Sequence, residues 1–110
     1  MAQVTLDFET ASGCDLKVSG AARYWEDPST DILCLSWRTG GRRGVWHPGE
    51  SGEELRALAA DPAVRFVAHN TWFEWNGWTR QMVPDYGFPP IEAGRWEDTQ
   101  AVCHYKAIEP

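Results

Sequence analysis

The apolar positions of the chain fall into short runs divided by turn residues, and each run carries its own period. Val4 to Phe8 is short and β-prone, with acids at its end. Gly13, Ser19 and Gly20 mark a loop after it, and Asp27-Pro28-Ser29 is a turn signal. Ile32 to Trp37 reads as a buried strand, which Thr39-Gly40-Gly41-Arg42 turns toward Val45-Trp46-His47 in a hairpin. Ser51-Gly52-Glu53-Glu54 has the S-x-x-E form of a capping box and opens an amphipathic helix through Leu55 and Leu58, ending at Asp61-Pro62. Val64 to Ala68 is a further apolar strand, bounded by Asn70. Trp72, Trp75, Thr79 and Met82 then recur at spacings of three and four, the period of a helix, which Pro84 to Gly87 ends. Pro89-Pro90 begins a loop, and Asp98-Thr99 has the form of a cap for a final helix toward Ala107. The order β-β-β-α-β-α-α predicts an α/β fold with mixed strand directions.

Composition narrows what such a fold can be for. With 110 residues there is room for one domain, 1–110, and a core of modest size. No apolar run approaches the roughly 20 residues of a membrane span, and Asp7 and Glu9 interrupt the only early apolar stretch, so no signal peptide is expected. The expected location is cytoplasmic, without a membrane partner. Three cysteines, Cys14, Cys34 and Cys103, show no C-x-x-C spacing, which argues against a disulfide framework or a zinc ribbon. Sixteen acidic against ten basic residues give a net charge of -6. Binding to nucleic acid by phosphate neutralisation alone is therefore disfavoured. An acidic site carrying divalent cations is not, because bound ions reverse the local charge.

Two segments carry candidate chemistry. In Leu6-Asp7-Phe8-Glu9-Thr10, strand alternation projects Asp7 and Glu9 to one side and Phe8 to the other. Two carboxylates that close repel unless a proton or cation intervenes, and hard oxygen ligands on a strand suit Mg²⁺ or Mn²⁺. Taken alone, D-x-E is equally the exposed end of a strand with solvated acids. Phe66-Val67-Ala68-His69-Asn70-Thr71-Trp72-Phe73-Glu74 runs from a strand into a helix, with Asn70 as cap and Glu74 one turn on along the same face. A carboxylate in the first turn is favoured by the helix dipole and can stay ionised toward a site at the strand ends. The plainer alternative makes Asn70 a cap and Glu74 a surface residue.

Together these segments resemble the DEDD superfamily of 3′–5′ exonucleases, above all the proofreading domain of bacteriophage-type family-A DNA polymerases. LDFET is similar to that family's first motif, and AHNTWFE to its second, N-x3-D, with Glu74 in place of the usual aspartate. Arg23 to Leu33 resembles the segment that follows the first motif, and Asp98-Thr99 the D-T pair that caps a later helix. The resemblance implies a ribonuclease H-like fold, a mixed sheet flanked by helices, and two-metal phosphodiester hydrolysis at a single-stranded DNA 3′ end. It implies that Asp7 bridges two Mg²⁺ or Mn²⁺ ions, that Glu9 holds the ion nearest the nucleophile and that Glu74 holds the second. Thr10, Asn70, Trp72 and Phe73 are the implied substrate contacts.

The family's third motif, Y-x3-D or H-x4-D, ordinarily lies tens of residues past the D-T helix and brings the fourth carboxylate and a water-orienting side chain. His104 to Glu109 satisfies H-x4-E and Y-x3-E in letters but falls early, so a fragment or shortened relative of a longer exonuclease or polymerase is expected, with the C-terminal segment as a partner. The other class of function is a non-catalytic ribonuclease H-like module that binds protein or nucleic acid. Most of the seven tryptophans are expected in the core, Arg42-Arg43 solvated in a hairpin turn or touching a phosphate, His47 without a partner at metal-ligand spacing, and His69 packed or hydrogen-bonded beside Asn70. No P-loop, dinucleotide fingerprint or nucleophilic triad is present.

Overall fold

The computed structural model describes residues 2–98. The expected helix beyond Asp98-Thr99 and the segment His104 to Glu109 lie outside them. Strands β1 (Gln3–Ala11), β2 (Asp31–Thr39), β3 (Arg42–Trp46), β4 (Arg65–Ala68) and β5 (Trp96–Asp98) form one sheet in the order β3-β2-β1-β4-β5. Neighbours run antiparallel from β1 to β2 to β3, and parallel from β1 to β4 to β5. This is the expected α/β fold: a ribonuclease H-like mixed sheet flanked by helices α1 (Leu16–Glu26), α2 (Glu53–Ala60) and α3 (Thr71–Gly77).

Alternation along β1 sets the two faces of the sheet. Val4, Leu6 and Phe8 are buried while Thr5, Asp7 and Glu9 are exposed. Register carries the inner face outward, since Leu6 pairs with Trp37, Phe8 with Leu35, Leu35 with Trp46, Val4 with Phe66 and Phe66 with Trp96. All of these pack with Trp25 of α1, Leu55 and Ala59 of α2, and Trp78 and Met82 after α3 in one hydrophobic core. Between Glu9 and Thr10 the register slips by one residue, leaving Leu33 of β2 unpaired and 54% exposed. Such a bulge bends the strand and increases its twist beside the acid-bearing end of β1.

Several expectations are corrected. The segment of Gly13, Ser19 and Gly20 is not a loop throughout. Asp15 caps α1 by accepting from the Lys17 N–H at 3.0 Å, and Gly20, at φ +83°, breaks the helix without ending it. Ser51 does not cap α2: Gly52 does, at φ +66°, and the Ser51 carbonyl accepts instead from Arg56. Strand β3 starts at Arg42 and stops at Trp46, because Gly40, at φ +56°, closes a two-residue turn between the paired Thr39 and Arg42. Strand β5 was not expected. Its hold includes Arg95, 7% exposed, which donates to the carbonyls of Val64, Asp61 and Leu58 at 2.9, 2.5 and 3.3 Å.

The helical stripe after β4 is also displaced. Of Trp72, Trp75, Thr79 and Met82, only Met82 is fully buried. The buried side runs through Glu74, Gly77, Trp78, Gln81 and Met82, an i, i+3, i+4, i+7, i+8 stripe in which three members are not apolar, and Asn76 is buried as well. A π turn over Trp78–Met82 connects α3 to the short α4 (Val83–Tyr86), which Gly87 ends at φ +71°.

Gly77 lies where α3 meets α1. A Cβ there would sit 2.5 Å from Cζ2 of Trp25. Gly77→Ala gains about 1 kcal/mol of helix propensity but overpacks a filled core, which costs roughly 1–3 kcal/mol. The expected result is a net loss of stability, read as a lower urea midpoint with an unchanged slope. An equal or higher midpoint would show that the contact yields freely.

Candidate functional site

Asp7 and Glu9 extend from the same face of β1, as alternation requires, and both are exposed. Opposite them on β2 stand Ser36 and Cys34. The helices pack against the other face: Trp25 lies edge-on to Phe8 at 5.2 Å, and Phe73 of α3 packs on Trp25 at 5.1 Å. Asp7 and Glu9 therefore do not share the sheet face on which the Asn70 helix packs. The reason is the pleat: placing Phe8 in the core turns its neighbours away from α3.

Thr10 takes the Phe8 side beyond the bulge, and its hydroxyl makes a 2.7 Å hydrogen bond with that of Tyr24. The pair joins the end of β1 to α1, and Tyr24 in turn packs on Phe73 at 5.6 Å. Thr30, buried beside them, donates to the Tyr24 carbonyl at 2.5 Å. Asp27, in the expected turn, accepts from the hydroxyl and N–H of Ser29, and these bonds hold its carboxyl below the usual carboxylate range.

Asn70 caps α3 as expected, accepting from the Phe73 N–H at 3.3 Å. Glu74 follows in the first turn at only 5% exposure, so it is not a surface residue. Acids are rarely buried without a role in a bonded network or a site. Its stripe carries it toward the sheet together with Trp78, which packs on Phe66. Trp72 is 58% exposed and stacks on Trp75 at 5.5 Å, forming with Thr71, Ala93 and Trp96 an apolar hollow of about 250 Å³. Phe73 is half-buried in the aromatic cluster, which limits it as a contact for a ligand.

The implied metal ligands thus divide between two settings. Asp7 and Glu9 form an exposed pair whose hard oxygens fit a hydrated divalent cation, whereas Glu74 is buried on the helical side. Among the described residues no three His, Cys, Asp or Glu side chains are grouped so as to hold a metal ion.

No family model, curated protein or solved structure matches this chain.

Two of the remaining sequence candidates, Arg42 and His47, meet acids at the surface. Arg42 pairs with Glu54, and His47 meets Glu50 at 3.3 Å. The His47 backbone N–H, which donates to Glu50, holds that carboxyl below its ordinary range. His69 is exposed next to the cap. Five tryptophans, Trp25, Trp37, Trp46, Trp78 and Trp96, are buried, and Trp75 is half-buried, leaving Trp72 as the exposed aromatic of the set. Among the described residues no helix is long and apolar enough to cross a membrane.

Proposed function

We propose that this chain forms the N-terminal part of a 3′–5′ exonuclease domain acting on DNA 3′ ends by two-metal phosphodiester hydrolysis. The observation that carries this is the parallel pairing of β1 with β4 at the centre of a ribonuclease H-like sheet. It sets the strand bearing Asp7 and Glu9 beside the strand that leads into Asn70 and the buried Glu74. Mg²⁺ or Mn²⁺ would supply hydroxide generation and stabilisation of the leaving oxygen. Asp7 and Glu9 would hold a cation, and Glu74 and the family's later carboxylate would complete a second site. Trp72, exposed beside the capped turn, offers a face for stacking on an unpaired base.

Mn²⁺ titration tests this most directly. A cation bound to the folded state alone raises stability by RT ln(1 + [L]/Kd), about 1.4 kcal/mol at tenfold excess over Kd. In a domain of this size that is a shift of roughly 5 °C in Tm. Weak binding in the millimolar range is expected, because Mg²⁺-type sites of few carboxylates retain much water. The shift should vanish in Asp7→Ala. An unchanged Tm, or an equal rise in the variant, would favour the non-catalytic module.

A further inference from the structure

We infer that the face of the sheet bearing Asp7 also carries a phosphodiester-binding pair, Arg38 and Arg43, that receives the backbone of a single-stranded nucleic acid. This deepens the exonuclease proposal, because the pair adjoins Asp7. Strand register aligns five residues in one row across the sheet: Glu97, Val67, Thr5, Arg38 and Arg43. The next row, two residues along β1, holds Asp7, Ser36 and Val45. Thr5, Asp7, Ser36, Arg38, Arg43 and Val45 line one shallow groove of about 390 Å³.

The two ends of the row differ in how their charge is met. Glu97 accepts from Gln3 at 3.1 Å and faces Arg65 at 3.7 Å. Arg38 and Arg43 stand directly opposite each other on β2 and β3, and neither forms an ion pair with a described residue. The other arginines show how unusual this is. Arg42, Arg65, Arg80 and Arg95 each meet an acid, and Arg56 donates to the carbonyls of Ser51, Tyr86 and Gly87. Arg23 also lacks an acid partner but stands alone in the last turn of α1.

Like charges placed directly across two strands repel. In a chain of net charge -6, acids to relieve them are plentiful. Among the described residues the pair is left bare at the groove, where two planar forks side by side match the oxygens of a phosphate. From the arginine row to Glu9 is four residues of strand, about 13 Å. A strand whose phosphate rests on Arg38 and Arg43 would therefore have its end near Asp7 and Glu9.

The test measures binding of a 5′-fluorescein oligodeoxythymidylate in EDTA, where metal-dependent cleavage cannot occur, across a range of salt concentrations. Arg38→Ala with Arg43→Ala is expected to weaken binding tenfold or more at low salt. It should also reduce the slope of log K against log salt by about 1.4, since each phosphate contact on a single strand contributes about 0.7. Arg38→Lys with Arg43→Lys should keep the slope while losing part of the affinity. Arg23→Ala and Arg42→Ala, which remove equal charge elsewhere, should change affinity less than twofold. The double alanine variant should melt no lower than wild type, because it relieves a repulsion.

An unchanged slope in the double variant, an equal effect from Arg23→Ala, or no binding by wild type at low salt would overturn the proposal. Strand binding through the pair combined with no Mn²⁺ response would overturn the exonuclease assignment alone.

Discussion

Trp25→Ala is expected to leave the domain without a cooperative unfolding transition in urea, or with only a small remnant of its stability. Trp25 is 3% exposed and joins three elements, lying against Phe8 of β1 at 5.2 Å, Phe73 of α3 at 5.1 Å and its neighbour Tyr24 at 6.0 Å. Truncating a buried Trp costs roughly 3–5 kcal/mol, against a total of about 5–15 kcal/mol for a domain of this size. Relaxation cannot recover much, because Gly77 already brings α3 as close to the indole as its backbone allows. Trp25→Phe should be far milder: Nε1 of Trp25 has no hydrogen-bond partner among the described residues, so the change removes a buried donor that gains nothing from burial. Far-UV circular dichroism in urea checks both variants. An alanine variant that keeps more than half of the wild-type stability would show that α1 is not what fastens the helices to β1.

On the proposed exonuclease reading, Asp7→Ala should sharply lower metal-dependent cleavage at a 3′ end. The chain described here is expected to digest a 3′-labelled single strand very slowly in Mn²⁺, because two-ion hydrolysis needs both ions and a positioned water held in fixed relation. Supplying the family's later segment, on a longer chain or in trans, should raise the rate. Asp7→Ala should then lower it by roughly 10³-fold, the scale on which losing one group that stabilises transition-state charge slows an enzyme. Rapid digestion by the 110 residues alone, lost on the paired change His104→Ala and Tyr105→Ala, would identify His104 to Glu109 as a compact third motif. A rate indifferent to Asp7→Ala would remove the acid pair from the chemistry.

Strands β1, β2 and β4 were legible because each is built on a short apolar run bounded by turn or cap residues. Three of the five strands lie where the pattern puts them, β3 overlaps its expected place only at Val45 and Trp46, and Asn70 caps its helix as its residue type requires. Helix α1 was missed for a physical reason. Gly20 reads as a breaker, and a positive φ there does break the helix, yet Ala21, Tyr24 and Trp25 bury one face beyond it at helical spacing. The capping box at Ser51 failed because Gly52 can adopt the left-handed conformation and take the cap position itself.

Tertiary structure decided what the hydrophobic pattern could not. The buried stripe that runs from α3 into the π turn contains Glu74, Gly77 and Gln81, so a search for apolar residues lands on the exposed Trp72 instead. Gln81 is admitted to the interior because it donates to the Thr30 carbonyl at 2.9 Å, and Gly77 because Trp25 needs its space. The sharing of one face by Asp7 and Glu9 follows from a period of two and was fixed by local sequence alone. Which face that is, and that Arg38 and Arg43 stand bare beside it, depends on pairing between strands far apart in the chain. Register is a long-range property, set when Leu6, Phe8, Trp37 and Leu35 are buried together, and every outward side chain takes its neighbours from that choice.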